Sequence, residues 1–262
     1  MIKRSFIGEF MYLKVLSALA IILVSSAASG QTADDEVAAG DKAYAALEIP
    51  AALEHYKKAI EIDPKNYAAL WKASRTALDY GIPTANQEKR NALFSSAEQY
   101  ARRAVAVNPG DADGHFVLAY ALGKTALTQS TSRRVKYGTA VHDHALACLR
   151  IKPNHPGCLH VMGVWNAEIM RLSGIVRLVA KSFLGGKVFG EASWPEAIRY
   201  MEASVAAEPE RVVHRLDMGE IYRDSGDKTK ARAAFQKGLE LPSKDYNDNR
   251  FKSEIKADLD KL

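Results

Sequence analysis

The chain has 262 residues, 47% of them hydrophobic and 26% charged, a composition that allows a substantial buried core and excludes a disordered or collagen-like chain. Its net charge of +5 falls to +3 once residues 1–30 are set aside, because Lys3, Arg4, Lys14 and the acid Glu9 go with them. That balance is too even for a nucleic-acid binder, whose basic residues concentrate on one face, so no nucleic-acid partner is expected.

The chain opens with "MIKRSFIGEFMYLK", followed by the ten-residue apolar run "VLSALAIILV" and the small residues "SSAASGQ". Basic, apolar and small segments in that order predict a secretory signal peptide over 1–30, cleaved after Gly30, with Ala28 as a neighbouring alternative. The apolar run falls short of the roughly 20 residues that cross a bilayer; retention as an anchor is the other reading. The expected compartment is therefore outside the cytoplasm, periplasmic or secreted. Residues 31–262 form the expected folded domain.

Within that domain the same helix is written several times. "IPAALEHYKKAIEIDPKNY" from Ile49 returns as "SWPEAIRYMEASVAAEPERV" from Ser193. Aligned on Pro64, Pro109, Pro153, Pro209 and Pro242, the fifth residue upstream is small in each: Ala59, Ala104, Cys148, Ser204 and, in the last, four positions upstream, Gly238. The eighth is Tyr56, Ala101, Ala145 or Met201, matched by Phe235, and the twelfth is Ala52, Ala97, Val141 or Ala197, matched by Ala231. These offsets hold one helical face. Upstream helices carry Gly40 and Gly219 in one column, with Ala43 and Tyr222 three residues later. Such columns resemble the tetratricopeptide repeat, a helix–turn–helix unit of about 34 residues. The fold class is therefore all-α, a superhelix of about five helix pairs. "DNRFKSEIKADLDKL" supplies a C-terminal capping helix.

Successive prolines lie 45, 44, 56 and 33 residues apart, so the middle repeats carry insertions. "GIPTANQEKRNALF" and "TQSTSRRVKYGTA" are expected to lengthen second helices or the loops leading into them. "SGIVRLVAKSFLGGKVFGEAS" is long enough for an extra helix. Its apolar residues Ile175, Val176, Leu178, Val179, Phe183 and Leu184 are expected to be buried on neighbouring helices, with peripheral membrane contact through 174–185 as the alternative.

A narrower resemblance covers most of the domain. "LHVMGVWNAEIMRLSGIVRLVAKSFLGG" followed by "SWPEAIRYMEASVAAEPE" is similar to the regulator of microtubule dynamics family, with Met162, Gly163 and Trp165 in its first segment and Phe183, Leu184 and Gly185 in its second. The resemblance implies the repeat fold. It also implies, in animals, proteins that associate with microtubules or tether organelles, a role at odds with an exported chain.

"HDHALACLRIKPNHPGCLH" crowds His142, His144, Cys148, His155, Cys158 and His160 together. His144 holds a column occupied elsewhere by His55, Tyr100 and Tyr200, and Cys148 holds the small-residue column, so packing accounts for them better than a metal does. Cys148 and Cys158 are expected either to form a disulfide or to remain two buried thiols. "GKT" at Gly123–Thr125 lacks the earlier glycine of a phosphate loop, and no hydrolase or metalloprotease motif is present. Nothing calls for a cofactor or for catalysis.

The expected function is a non-enzymatic scaffold holding a protein or peptide in the concave groove lined by the first helices. Transferring groove positions onto this chain selects Trp71, Arg75, Phe116, Tyr120, His160, Glu168, Glu220 and Arg223. The alternatives are a microtubule-associated or membrane-tethering role, as the family resemblance implies, and after it a metal or ligand site in the histidine-rich turn 142–160.

Overall fold

The computed structural model describes residues 31–126, 128–183 and 187–262; the expected leader, and Leu184 and Gly185, lie outside them. Among the described residues there are twelve α-helices, one short 3-10 helix and no strand. Five antiparallel pairs follow one another: α1 (Ala33–Ala45) with α2 (Ile49–Ile62), α3 (Tyr67–Gly81) with α4 (Gln87–Val107), α5 (Ala112–Ala126) with α6 (Thr131–Ile151), α7 (Pro156–Arg171) with α9 (Trp194–Ala207), and α10 (Val212–Asp224) with α11 (Lys228–Glu240). α8 (Gly174–Phe183) and the 3-10 helix Lys187–Gly190 interrupt the fourth pair, and α12 (Asp248–Leu259) closes the series.

Local chemistry sets the ends. Thr32 and Asp35 form a reciprocal capping box, Asp35 N donating to Thr32 Oγ1 at 3.1 Å and Thr32 N to Asp35 Oδ2 at 2.9 Å. Pro50, Pro156 and Pro195 stand in the first turns of α2, α7 and α9, where the missing N–H costs nothing. Each second helix stops two residues before its proline. In the α10–α11 turn Gly226 takes φ +99°; in the α1–α2 turn the equivalent position is Leu47, at φ +61°. The same turn thus carries a backbone cost in the first repeat that glycine removes in the last.

The aligned columns are the core. Ala52, Ala59, Ala97, Ala104, Ala145, Cys148, Ser204 and Ala231 are fully buried. Large residues fill the gaps between them, and the glycines of the first helices let them in. A Cβ on Gly40 would stand 2.5 Å from Tyr56, and one on Gly219 2.3 Å from Phe235, so each ring lies against bare backbone. The insertions go where the spacing places them: α4 and α6 have 21 residues each, and α8 is the extra helix.

The expectation that α8 buries its apolar residues is overturned for Ile175, Val176, Leu178 and Val179; the Phe183 side chain and Leu184 lie outside the described residues. Ile175 is 78% exposed, Leu178 61%, Val176 43% and Val179 42%, while Ala180 turns into the core. An amphipathic period says that one face is apolar. It does not say that the protein itself covers that face.

Candidate functional site

α3, α5 and α7 face the concave side of the superhelix, and there they bring Trp71, Arg75, Phe116, Tyr120 and His160 around one cavity of about 240 Å³. Phe116 and Tyr120 stack with centroids 6.1 Å apart, one turn along α5, and His155 tilts against Phe116 at 5.1 Å. Together with Trp71 they make an aromatic wall.

Arg75 stands beside that wall. Its guanidinium lies over the Tyr44 ring at 5.0 Å, and its one ion-pair contact is Asp79 at 3.9 Å. It makes no hydrogen bond among the described residues. Burial works against its charge, but Tyr44, Asp79, Asp245 and Glu208 together hold its pKa above the ordinary arginine value. Burial pushes Asp79 up, against the pull of Arg75 and of Tyr44, whose hydroxyl donates to Asp79 Oδ2 at 2.6 Å. Burial and Asp79 raise the Tyr44 phenol in turn.

The carboxylates of this lining are engaged. His155 donates through Nε2 to Asp113 at 3.1 Å, which holds that carboxyl below its usual range, while His155 Nδ1 accepts from Cys158 N and caps α7. Asp245 takes Arg211 at 2.6 Å, and Asp248 accepts two backbone N–H bonds at 2.8 Å. Glu208 lies 3.7 Å from Arg211 Nε. The cations are less well served: besides Arg75, Lys152 Nζ has no ion pair among the described residues, and Arg211 Nε is buried without a hydrogen bond.

A roof covers the groove. The turn between α11 and α12 crosses to the end of α3, where Asn247 Nδ2 donates to the Asp79 carbonyl at 3.0 Å and Arg250 to the Ile82 carbonyl. Asn247 is 5% exposed, and its Oδ1 is buried with no donor to meet it. Asp79, Arg211, Asp245 and Asn247 belong to the site and were not expected from the sequence, because they meet only through this long-range closure.

Glu168, Glu220 and Arg223 do not line this cavity. They join Arg171 and Asp224 in a separate ionic cluster on α7 and α10: Arg171 reaches Glu168 at 2.5 Å, Asp224 at 2.6 Å and Glu220 at 3.4 Å, and Arg223 pairs with Asp258 at 3.0 Å. A repeat position carried over from the family does not register that Arg171 gathers the nearby carboxylates. Burial and Asp217 push Glu220 up to about 7.

In the histidine-rich segment, Cys148 and Cys158 are joined as a disulfide with Cα atoms 6.4 Å apart. Cys148, His155 and Cys158 have their donor atoms within 4.8 Å of one another. Those donors are spoken for, by the disulfide and by the two hydrogen bonds of His155, so the arrangement does not offer metal ligands. His144 meets His115 at 3.0 Å and His142 packs on Trp165 at 4.6 Å, which are packing roles.

Comparison with known proteins agrees with this architecture. The family model described as Regulator of microtubule dynamics protein 1-3 matches residues 33–262. Regulator of microtubule dynamics protein 1 of Caenorhabditis elegans is 22% identical over 227 residues, 87% of this chain and 99% of that protein. Proteins 3 and 1 of Bos taurus are each 20% identical across 71% of this chain, which spans 39% and 58% of their respective lengths. Among solved structures, a thermophilic TPR protein of Thermus thermophilus superposes with a TM-score of 0.61 at 20% identity, over 86% of this chain and 99% of that one. The five helix pairs, the buried alanine columns and the match across the whole domain agree: the chain belongs to the regulator of microtubule dynamics protein 1-3 family and is built as a tetratricopeptide superhelix.

Proposed function

We propose that this chain is a non-enzymatic scaffold whose concave cavity holds a short polypeptide segment presenting a carboxylate beside an apolar side chain. The repeat fold supports a protein or peptide partner in general. The observation that carries the finer reading is Arg75, a half-buried guanidinium without a hydrogen bond, set against an aromatic wall where every neighbouring carboxylate is already engaged. The apolar side chain packs on Phe116 and Tyr120. Arg211 Nε and Asn247 Oδ1 then meet the carbonyl and N–H of the segment's backbone. Export through a cleaved leader belongs to the same proposal. The order of basic, apolar and small residues over 1–30 supports it, as does a disulfide, which persists in oxidising compartments.

The test is selection from a displayed library of random peptides against residues 31–262, which hold every described helix and begin at the Thr32 cap. Selected peptides, remade with free and amidated carboxyl groups, are then titrated against wild type, Arg75→Gln and the exposed Lys152→Ala. Loss of about tenfold or more in affinity on Arg75→Gln, with the fold intact by circular dichroism, is the expected result. An unaltered affinity, or a library that yields no binder, refutes the reading. The relatives' name carries a second reading, microtubule association, which rests on family membership. Cosedimentation of residues 31–262 with polymerised tubulin tests it, and protein remaining in the supernatant removes it.

A further inference from the structure

α8 presents its apolar side outward. Ile175 and Val179 lie at the centre of the exposed face, Leu178 and Val176 flank it, and Ala180 packs into the core. Arg177 lies beneath, against the Met170 sulfur at 3.0 Å. Four large aliphatic side chains on one open face of a ten-residue helix make an unpartnered patch.

The segments that carry and adjoin the patch are rich in basic residues. Between Glu168 and Glu191 the chain has Arg171, Arg177, Lys181 and Lys187 and no acid; Arg171 is taken up by Glu168, Asp224 and Glu220, which leaves Arg177, Lys181 and Lys187 as the basic residues of this stretch. The N-terminal half of α6 adds Arg133, Arg134 and Lys136, again without an acid before Asp143. The two stretches are neighbours in space: Val135, Ala180 and Phe189 share one core cluster, and Trp165, edge-on to Phe189, donates to the Gly138 carbonyl at 2.8 Å.

From this juxtaposition we infer that α8 is a docking surface for an anionic lipid bilayer. Its aliphatic face enters the head-group boundary, while the basic residues around it face the lipid charge. A second copy of the chain is the poorer occupant, because a two-fold contact would set each basic rim against its own image. Among the described residues no helix is long and apolar enough to cross a membrane, so α8 lies on the surface rather than spanning it. This surface is separate from the groove and does not depend on what the groove holds.

The experiment is flotation of residues 31–262 with vesicles of phosphatidylcholine alone or of phosphatidylcholine with phosphatidylserine. Wild type is expected to float with the anionic vesicles and to be released by salt. Ile175→Ser/Leu178→Ser, whose side chains are exposed and leave the core untouched, should reduce the partition coefficient at least about tenfold. Lys136→Glu/Lys187→Glu should reduce binding to anionic vesicles while leaving the aliphatic face in place, and it keeps the test decisive if the first variant folds poorly. Failure to float, equal floating with neutral vesicles, or indifference to both variants overturns the inference. So does a dimer in light scattering that the Ile175→Ser/Leu178→Ser change abolishes, which would assign the patch to a second copy.

Discussion

Cutting the Cys148–Cys158 bond should cost measurable stability, and its size follows from the chain itself. The two cysteines are ten residues apart, and the bond ties the end of α6 to the first turn of α7 across the bend at Pro153. Closing a loop of that length in the unfolded chain removes entropy worth about 2.7 kcal/mol at 25 °C. For a domain of this size each kcal/mol moves Tm by about 2–4 °C, so reduction should lower it by about 5–10 °C. Both residues are fully buried, Cys148 in the column where other repeats have Ala59 and Ala104, so Cys148→Ala/Cys158→Ala introduces no polar group into the packing. Urea and thermal unfolding of wild type, with and without dithiothreitol, are compared with the double variant, and thiols are titrated under denaturing conditions. Oxidised wild type should show no free thiol, the reduced protein should match the double variant, and the variant should ignore reductant. Two titratable thiols in the untreated protein, or equal stability of the reduced and oxidised forms, would refute the reasoning.

Two further outcomes follow from packing and charge. Gly219→Ala gains about 1 kcal/mol of helix propensity but sets a methyl group 2.3 Å from the fully buried Phe235, so the net result should be a loss of about 1–2 kcal/mol in denaturant unfolding; Gly174→Ala, with open space around it, should not destabilise. Stability against pH should carry two opposed contributions. Burial and His160 hold His214 well below its usual pKa, so below about pH 6.5 the unfolded chain takes up the extra proton and stability drops as the pH is lowered, by at most about 1.4 kcal/mol per unit. Glu220, held at about 7, is the reverse case: the native state keeps the extra proton, and stability falls as pH rises from about 4.5 to 7. Glu220→Gln should therefore be more stable than wild type by about 1–2 kcal/mol at pH 8 and no more stable at pH 4.5, a contrast read from denaturant midpoints at the two pH values.

The helix pairs were legible because their signal is local and repeated. Proline follows each second helix, and a small residue shortly before it marks where two helices touch; Ala59, Ala104, Cys148, Ser204 and Gly238 are all buried as that column requires. Trp71, Arg75, Phe116, Tyr120 and His160 line one cavity for the same reason, since Trp71 and Arg75 on α3 repeat in register as Phe116 and Tyr120 on α5. Glu168, Glu220 and Arg223 departed because their place is decided by Arg171, a charge that periodicity does not weigh. α8 departed because an amphipathic pattern specifies a face without specifying its medium. Asn247 and Asp79 carried no signal at all, for a contact across 168 residues leaves nothing periodic in the sequence.

That last contact changes how the groove works. In an open solenoid each repeat touches only its neighbours, and the concave face is free along its length. Here the turn before α12 reaches back to α3, so the second repeat and the cap are joined across the cavity. The hold is light. It consists of Asn247 on the Asp79 carbonyl and Arg250 on the Ile82 carbonyl, while the ion pairs Arg211–Asp245 and Lys244–Glu210 tie the same turn to the start of α10. Hydrogen bonds of this kind contribute about 0.5–1.5 kcal/mol each, so parting the roof from α3 costs about 1–3 kcal/mol. On the proposed function, a segment that pairs a carboxylate with Arg75 and buries one side chain on Phe116 would offset that cost. Its binding would then be linked to roof closure, and a polypeptide that lifts Asn247 from Asp79 would have to satisfy the Asp79 carbonyl that it uncovers.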